Sequence, residues 1–321
     1  MESVVIQEFP VDARISELAK KYGYNEYMVA RFAVLVPELE KFLASMEAPP
    51  VTYIRVNTLK IAPNALLKRL TDKGFILKPA DIPDCFEVMG EPYSIGASAE
   101  HLLGYFYIQD KSSMIPPLAL APNPGDTVMD MAASPGGKTT HMAQLMNNEG
   151  LIVAIEKEVA RLPSLRTNIG RCGVMNTVIY HMDALEADKI GIKADKILLD
   201  APCTGEGVIA RDRSRKTSRE EADIQFCSTA QHELIDAAMK VLKPGGTLVY
   251  STCSYAPEED ELIIDYAVKK YGLKVEPVPY GLPGIGKFGN LTFTPEVKNA
   301  RRMYPHIHNT TGFFVARLRY V

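Results

Sequence analysis

The chain has 321 residues, a formal net charge of −3, 46% hydrophobic residues and 23% charged residues. This length suggests two domains, each with an ordinary buried core, and no apolar run approaches the ~20 residues of a membrane span. The five cysteines lack C-x-x-C spacing, and the N-terminus does not resemble a signal peptide. We therefore expect a cytoplasmic protein with no membrane association and no metal site, in which any nucleic-acid binding depends on a local basic patch.

The first third of the chain mixes helix and strand patterns. Apolar spacing predicts helices over about 11–21 and 25–47, the second with Asn25 as a candidate N-cap. "VTYIRVNTL" then predicts a strand, and "NALLKRLTDKG" predicts a helix that ends near Gly74. The proline- and glycine-rich segment "MIPPLALAPNPGD" indicates a connection. These patterns predict a small α+β domain over 1–115 and a second domain over 116–321.

The second part of the chain alternates strands with helices. The predicted strands are "DTVMDMA", "GLIVAIE", "NTVIYHMDA", "ADKILLDAP", "TLVYSTCS" and "TGFFVARLRYV". Apolar strands separated by helices predict a parallel sheet covered on both faces. Ligands of such sheets bind beyond the carboxyl ends of the strands, so motifs at those ends are functional candidates.

A glycine-rich turn, "AASPGGKTT", follows the first of these strands. Ala132 to Thr139 matches a relaxed phosphate loop, which makes a nucleoside triphosphatase one hypothesis. Pro135 argues against it by removing a backbone N–H, and Ala132 stands where that motif has glycine. Glu156 ends the next strand, where an acid can bind the ribose hydroxyls of a dinucleotide or of S-adenosylmethionine. A plain tight turn is the simplest alternative, and the absence of G-x-G-x-x-G weakens the dinucleotide interpretation.

Acidic residues follow several of the predicted strands. Asp130, Asp183 and Asp200 join Glu156 in this position. Each alone is often a helix cap or a loop residue. Because all of them belong to the edge where a ligand should lie, together they favour a binding site.

Two cysteines, Cys203 and Cys253, come directly after strands and among small polar residues. The other three (Cys85, Cys172 and Cys227) are expected to be structural. A thiolate beside a methyl donor suits cytosine C5 methylation, because addition to C6 makes C5 nucleophilic. An acid near ring N3 or N4 would stabilise the adduct, and Asp200 is placed for this. Position alone does not decide which cysteine attacks.

Four segments together resemble the Sun-type RNA (cytosine-5) methyltransferases: "DMAASPGGKTTH", "DAPCTGEG", "YSTCSYAPEED" and "RRMYPHIHNTTGFFVARL". The resemblance covers roughly residues 50–321. It implies an α/β fold, with a Rossmann-like class I methyltransferase domain behind a small RNA-binding domain. That catalytic domain has a mixed, mostly parallel seven-stranded sheet with helices on both faces. It also implies S-adenosylmethionine as cofactor, and the compact chain suggests an archaeal or bacterial member that acts on tRNA.

The resemblance also assigns roles to residues. Cys253 is the nucleophile that attacks C6, Cys203 assists product release, Asp200 stabilises the base, and Lys138 is a further catalytic candidate. The implied cofactor contacts are Ala132, Ala133, Ser134, Pro135, Gly136, Gly137, Lys138, Glu156, Arg161, Asp183 and Asp200. Ala132 and Ser134 depart from the family, which often has cysteine and alanine there.

The segment "ARDRSRKTSRE" is the candidate RNA contact. Its cations are Arg211, Arg213, Arg215, Lys216 and Arg219, and Lys60, Lys111, Arg301 and Arg302 are possible extensions. A charge run is usually a solvated loop, but proximity to the proposed site favours phosphate contact. The target cytosine has to be flipped or unpaired to reach a thiol. His306 and His308 supply only two metal ligands, too few for zinc.

We therefore predict a monomeric enzyme that forms 5-methylcytosine in RNA, with tRNA as the first choice and rRNA as the alternative. Two hypotheses from other classes remain at this point: a P-loop nucleotide hydrolase and a non-catalytic RNA-binding protein.

Overall fold

The computed structural model describes residues 5–321, which form two compact units. Unit 1 contains residues 5–50, 201–236 and 250–321, and unit 2 contains 51–200 and 237–249. Residues 51–115 therefore share a compact unit with 116–200. This grouping by contacts does not test the division into domains at 115/116, which stays a prediction.

The α-helices are, in chain order, α1 (Ala13–Tyr22), α2 (Glu26–Leu35), α3 (Leu39–Ser45), α4 (Pro63–Thr71), α5 (Ala99–Leu102), α6 (Lys111–Leu120), α7 (Gly137–Leu145), α8 (Leu162–Cys172), α9 (Arg215–Ser218), α10 (Glu221–Val241), α11 (Glu261–Tyr271) and α12 (Pro305–His308). The strands are β1 (Tyr53–Val56), β2 (Ile76–Pro79), β3 (Cys85–Gly90), β4 (Phe106–Ile108), β5 (Thr127–Asp130), β6 (Leu151–Glu156), β7 (Thr177–His181), β8 (Ala194–Asp200), β9 (Leu242–Thr252), β10 (Lys274–Glu276), β11 (Leu282–Pro283), β12 (Lys287–Phe288), β13 (Leu291–Thr292), β14 (Arg301–Met303) and β15 (Phe313–Arg319). Within 5–321, no helix is both long and apolar enough to cross a membrane.

Unit 2 contains the parallel strands. They run side by side in the order β8-β5-β6-β7, and each neighbouring pair is parallel. Ile152, Val153 and Ile155 of β6 are fully buried, as expected for a strand covered on both faces. This arrangement confirms the parallel sheet predicted from the alternation of strands and helices.

Unit 2 also contains a small antiparallel sheet in the order β2-β3-β1-β4. Its core includes Ile54 and Val56 of β1, Leu66 and Leu70 of α4, and Phe106 of β4. The mixture of helix and strand predicted before residue 115 is therefore confirmed for this segment.

Unit 1 contains antiparallel strands. β14 pairs with β11 and with residues 313–315 of β15, and β10 pairs with residues 317–319 of β15. β9 begins in unit 2 and ends in unit 1. Counted with β9, the parallel and antiparallel strands of the large sheet among the described residues number nine. The predicted mixed α/β fold is confirmed, with nine strands where the resemblance implied seven.

Three predicted elements differ from the structure. The helix expected over 25–47 is divided into α2 and α3, since Pro37 lacks an N–H and Glu38 has a φ of 53°. The segment "TAQHELIDAAMKVLKPGG" predicts a helix from 229, but α10 starts eight residues earlier, at Glu221. The segment "PEEDELIIDYAVKKYG" predicts a helix with Pro257 and the following acids in its first turn, but α11 starts at Glu261, so the acids at 258–260 precede it.

The segment predicted as a connection is largely the helix α6. Asp110 caps it by accepting the Ser112 N–H at 3.0 Å. Pro116 and Pro117 lie inside the helix and remove two backbone donors, yet both are buried together with Met114. Burial of this apolar surface outweighs the low helix propensity of the two prolines.

Candidate active site

The glycine turn lies between β5 and α7 in unit 2. β5 ends at Asp130 and α7 begins at Gly137. Gly136 has a φ of 102°, which favours glycine over other residues. A Cβ at Gly137 would lie 3.3 Å from Tyr107 Cε1. The predicted strand–turn–helix is therefore confirmed, with glycine favoured at 136 by backbone conformation and a side chain at 137 closely approached by Tyr107.

Glu156, the last residue of β6, contacts the glycine turn. Its carboxylate accepts the backbone N–H groups of Ser134 at 3.3 Å and Glu158 at 2.8 Å. Arg161 lies 3.9 Å from the same carboxylate and donates to the Ser134 carbonyl at 2.6 Å. Only 4% of Glu156 is exposed. The structure thus brings three of the predicted cofactor residues into one cluster.

The parallel order of unit 2 gathers the other acids at the same edge. Asp200, Asp130, Glu156 and Asp183 are at or just past the carboxyl ends of β8, β5, β6 and β7, which are neighbours. Asp183 accepts the Leu185 N–H at 3.0 Å and Lys157 Nζ at 2.8 Å. Burial raises the pKa of Asp183, but these hydrogen bonds outweigh it and lower the pKa overall, so the group is a carboxylate at neutral pH.

Lys138 and Asp200 form an ion pair of 2.7 Å. Asp130 lies beneath them, is 1% exposed and accepts the Thr139 hydroxyl at 2.7 Å. Burial and the charge of Asp200 raise the pKa of Asp130 to about 6 despite this hydrogen bond. The first turn of α7 is thereby connected to the ends of β5 and β8.

This set of groups fits S-adenosylmethionine better than a nucleoside triphosphate. Carboxylates predominate along the edge, and they would repel phosphates while accepting hydrogen bonds from ribose hydroxyls and an ammonium group. Lys138, which a phosphate loop would use, is already paired with Asp200. We refer to Ala132–Lys138, Glu156, Arg161, Asp183 and Asp200 as the glycine-turn site.

The two candidate cysteines meet in unit 1. The sulfur atoms of Cys203 and Cys253 are 3.3 Å apart, and both residues are half-buried free thiols. The hydrogen bond with Cys253, followed by burial, raises the pKa of Cys203 well above its usual value. The raised pKa favours the protonated form of Cys203 at neutral pH. We call Cys203 and Cys253 the thiol pair, and the assignment of Cys253 as the nucleophile stays a prediction.

Backbone contacts hold the Cys253 segment in place. The Gly207 N–H donates to the Cys253 carbonyl at 2.8 Å, and the Gly312 N–H donates to the Gly207 carbonyl at 2.9 Å. A Cβ on Gly207 would lie 2.3 Å from the Gly312 carbonyl oxygen and 2.7 Å from the Cys253 carbonyl oxygen. Only glycine allows these three segments to approach so closely.

Four successive acids after the thiol pair are completely buried, which the sequence analysis did not predict. They are Glu258, Glu259, Asp260 and Glu261, each 0% exposed. Arg31 Nη2 lies 2.5 Å from Glu258, and Arg302 lies 3.1 Å from Asp260 and also pairs with Glu261. The sequence shows four acids in a row after an apolar strand, but the arginines that pair with them are far away in the sequence, so the pattern alone did not predict their burial.

The basic segment after Cys203 divides into exposed and internal cations. Arg211 and Arg213 are exposed. Arg215 and Arg219 donate to the Thr204 carbonyl at 2.7 and 2.9 Å. Lys216 is only 8% exposed, and its ammonium group contacts Glu47 and the Tyr22 carbonyl. The segment therefore combines surface charge with support for the residue that follows Cys203.

Two of the suggested extensions of the basic patch are wrong. Arg302 is 1% exposed and is paired with buried acids. Lys111 is 8% exposed and contacts Asp81 at 2.8 Å. His306 Nε2 instead contacts the Pro37 carbonyl at 2.9 Å, and within 5–321 no group of three or more His, Cys, Asp or Glu residues could hold a metal ion.

Residues 117–319 match the family described as 16S rRNA methyltransferase RsmB/F, and residues 25–111 match the N-terminal domain of 16S rRNA methyltransferase RsmF. The chain belongs to the RsmB/F methyltransferase family. This membership confirms the resemblance to Sun-type RNA methyltransferases and removes the support for a P-loop hydrolase.

Curated relatives of this RsmB/F chain are named for ribosomal RNA. A 28S rRNA (cytosine-C(5))-methyltransferase of Mus musculus is 40% identical over 313 residues, which cover 94% of this chain and 40% of the relative. Ribosomal RNA small subunit methyltransferase F of Escherichia coli is 41% identical over 291 residues, which cover 87% of this chain and 59% of the relative. The chain thus spans about half the length of these curated relatives.

Solved structures extend the likeness over nearly the whole chain. A methyltransferase homologue from Pyrococcus horikoshii is 42% identical with a TM-score of 0.89, covering 97% of this chain and 100% of its own. NSun6 from Pyrococcus horikoshii, solved with SFG, is 30% identical with a TM-score of 0.80, covering 99% of this chain and 100% of its own. These neighbours confirm the methyltransferase fold of this RsmB/F member.

Proposed function

We propose that this protein is an S-adenosylmethionine-dependent RNA (cytosine-5)-methyltransferase that forms 5-methylcytosine. The observation that carries the proposal is the thiol pair, with sulfurs 3.3 Å apart. Methylation at a nitrogen or an oxygen needs no such pair. The names of the relatives, which specify cytosine C5, support the same chemistry.

The thiol pair suggests a balanced reaction. The Cys253 thiolate forms a bond to cytosine C6, which makes C5 nucleophilic, and Asp200 stabilises the adduct by a hydrogen bond near N3 or N4. When bound, S-adenosylmethionine supplies the electrophilic methyl group. C5 forms a bond to that methyl group, whose bond to the sulfonium sulfur breaks. In the release step Cys203 takes the C5 proton as the Cys253–C6 bond breaks, the departing Cys253 sulfur takes the proton that Cys203 held, and the aromatic ring is restored.

The glycine-turn site is the proposed cofactor site. Its residues are Ala132 to Lys138, Glu156, Arg161, Asp183 and Asp200. The support is the cluster of Ser134, Glu156 and Arg161, together with the ionised Asp183. Lys138 holds the Asp200 carboxylate at 2.7 Å, which gives it a positioning role beside that candidate.

RNA is the proposed substrate class, and ribosomal RNA is preferred. The earlier preference for tRNA depended on the compact chain, and the names of the relatives do not support it; they support the rRNA alternative. Arg211 and Arg213 are the exposed candidates for phosphate contact, whereas Arg215 and Arg219 are only partly exposed and Lys216 is buried. The domain division at 115/116 is likewise proposed, with support from family matches on either side of it. Monomeric state and cytoplasmic location remain predictions.

Two measurements test the proposal. Equilibrium binding should show affinity for S-adenosylmethionine and none for ATP; the reverse result would restore the nucleotide hydrolase. Labelled methyl groups should then be transferred to unmodified ribosomal RNA and appear as 5-methylcytosine on nuclease digestion. Transfer to tRNA alone would favour tRNA over ribosomal RNA as the substrate. Binding of RNA without methyl transfer would favour a non-catalytic RNA-binding protein.

A further inference from the structure

One carboxyl group of the buried acidic run has no cation beside it. Glu258 is paired with Arg31, and Asp260 and Glu261 both contact Arg302. The side-chain hydrogen bonds of Glu259 within the described residues are with uncharged groups of Thr204, Ser254 and Gln231. In the range that the structure describes, no lysine or arginine forms a salt bridge with it. Burying a carboxylate without a cation costs free energy, so Glu259 is more stable in the fold if its carboxyl group is protonated.

The hydrogen-bond geometry around Ser254 requires a proton on one of two neighbouring carboxyl groups. Ser254 Oγ lies 2.7 Å from Glu259 Oε1 and 2.7 Å from Glu206 Oε2. A hydroxyl group has one proton and can donate to only one of the two carboxyl groups. The other contact would bring two oxygens together with no proton between them. One of the two glutamates therefore carries a proton.

Glu259 is the better carrier of that proton. It is 0% exposed, whereas Glu206 is 4% exposed. Burial and the charge of Glu206 raise the pKa of Glu259 to about 8. Glu206 uses one oxygen, Oε2, for both the Tyr255 N–H at 2.9 Å and Ser254, whereas Glu259 meets Ser254 through Oε1 and accepts the N–H groups of Thr204 and Gln231 at Oε2. The protonated Glu259 then donates to Ser254, and Ser254 donates to Glu206.

This carboxyl group fastens the two segments that carry the thiols. Thr204 follows Cys203, and Ser254 follows Cys253. Glu259 accepts the Thr204 N–H at 3.0 Å and the Thr204 hydroxyl, and it contacts the Ser254 hydroxyl at 2.7 Å. Gln231 steadies it from α10, with Nε2 at 3.0 Å from Oε2. The same group therefore orders both sides of the thiol pair.

We propose that Glu259, as a neutral acid sharing one proton with Glu206 through Ser254, is the positioning residue that sets the separation of the Cys203 and Cys253 sulfurs. Its effect on catalysis rests on the proposed function, whereas its effect on thiol separation does not. The titratable and charged groups that face this cluster are Glu206, Cys203, Cys227, Tyr250 and Asp260, with Arg215 and Arg219 on the Thr204 carbonyl.

The first test measures thiol separation without RNA or cofactor. Diamide oxidises two nearby thiols to a disulfide and is itself reduced to a hydrazine, taking up the two hydrogens. The rate of the Cys203–Cys253 crosslink is followed by peptide mass spectrometry. Glu259→Leu should slow it by about tenfold or more, because the clamp is lost. Glu259→Gln should react close to the wild-type rate, since its NH₂ group can donate to Ser254 as the neutral acid does.

Three outcomes overturn the proposal. Equal slowing of Glu259→Gln and Glu259→Leu would show that a carboxylate is required. Wild-type rates in both would show that Glu259 does not position the thiols. Retention of the rate in Glu206→Gln together with its loss in Glu259→Gln would place the proton on Glu206. Circular dichroism of each variant checks folding, and the pH test below uses only the isosteric variant.

The second test is the ratio of wild-type to Glu259→Gln crosslinking rates against pH. The ratio isolates the effect of the Glu259 proton, since ionised Glu259 also raises the pKa of Cys203 and slows oxidation of the wild type alone. Above a pH of about 8 the wild-type Glu259 ionises and is repelled by Glu206, so the ratio should fall. A ratio that stays constant well beyond that pH contradicts the proton assignment.

The third test is single-turnover methyl transfer to RNA. Glu259→Leu should lower kcat with an unchanged KM for RNA, and Glu259→Gln should restore kcat. If no protein, including the wild type, transfers methyl groups, the proposed function fails while the crosslinking results still decide the role of Glu259. If all proteins transfer equally well, the positioning role fails and the function stands.

Discussion

The glycine-turn site and the thiol pair are stabilised by different interactions. In unit 2 two of the acids are paired with lysines, Asp200 with Lys138 at 2.7 Å and Asp183 with Lys157 at 2.8 Å. In unit 1 the cysteine segments are held by fully buried groups, among them Glu259, which contacts the uncharged side chains of Thr204 and Ser254. Partly solvated ion pairs tolerate the loss of a partner, whereas buried polar groups do not. We therefore expect substitutions near the thiol pair to be more damaging than those around the glycine turn.

The largest effect is expected at the thiol pair itself. Cys253→Ala should reduce methyl transfer by roughly 10⁴-fold or more and prevent any covalent RNA adduct, because the nucleophile is lost. Cys203→Ala should instead accumulate an adduct that survives denaturing electrophoresis. Cys227→Ser, a change at a structural thiol, is the control. Adduct formation by Cys253→Ala but not by Cys203→Ala would reverse the two roles.

The second-largest effect is expected on the free energy of unfolding, where Glu258 in its buried ion pair should differ from Glu259 with its shared proton. Glu258→Gln removes the partner of Arg31 and should lower the free energy of unfolding by about 3–5 kcal/mol. The neighbouring Glu259→Gln should cost far less, because it replaces a neutral acid. Urea unfolding measures both. Equal losses in the two variants would mean that Glu259 is ionised in the folded protein.

The glycine-turn site should respond at the level of ligand affinity. Glu156→Gln should weaken S-adenosylmethionine binding by roughly 10- to 100-fold, the worth of hydrogen bonds to a charged group. Glu158→Gln changes an exposed side chain two residues away and is the matched control. Calorimetry measures both affinities. An unchanged affinity in Glu156→Gln would exclude this carboxylate from the cofactor site.

A pH effect on stability is expected from Asp130. Its pKa is raised from 3.8 to about 6 by burial and by Asp200. Between these values the folded state holds the proton more tightly, so its contribution is complete below a pH of about 4 and is lost as the pH rises through about 6. Asp130→Asn should flatten this dependence by on the order of 2 kcal/mol. Urea unfolding at several pH values tests it; parallel curves for both proteins would contradict the shift.

The smallest effect is expected at the protein surface. Arg213 is exposed and lies 3.9 Å from Glu47. Arg213→Ala should weaken RNA binding a few-fold and reduce the salt slope by about 0.9, as expected for one lost phosphate contact. Lys189→Ala, an exposed cation of unit 2, is the control. Identical slopes for both variants would remove Arg213 from the RNA surface.

The glycine-turn site and the thiol pair also differ in how much of their structure could be predicted from the sequence. Asp130, the glycine turn and Glu156 lie within short segments whose periodicity and turn residues are local, and their structure was predicted. Pro116 and Pro117 predicted a connection where the structure has α6, because the tertiary burial that stabilises this helix is not visible in the local sequence. Glu259 was not identified because its partner Thr204 is 55 residues away in sequence. Strand ends could be inferred from pattern, but the pairing of buried acids could not.

These contacts join residues that are far apart in the sequence, which matters while the protein is being synthesised. The thiols are 50 residues apart, and the backbone of Gln7 is bonded to Glu258 across 251 residues. A growing chain that has passed Cys203 still lacks both the second sulfur and the acids that order it. The two sulfurs and the acids that order them are therefore present together only after residue 261 has been added, and shorter nascent chains should not present a paired nucleophile.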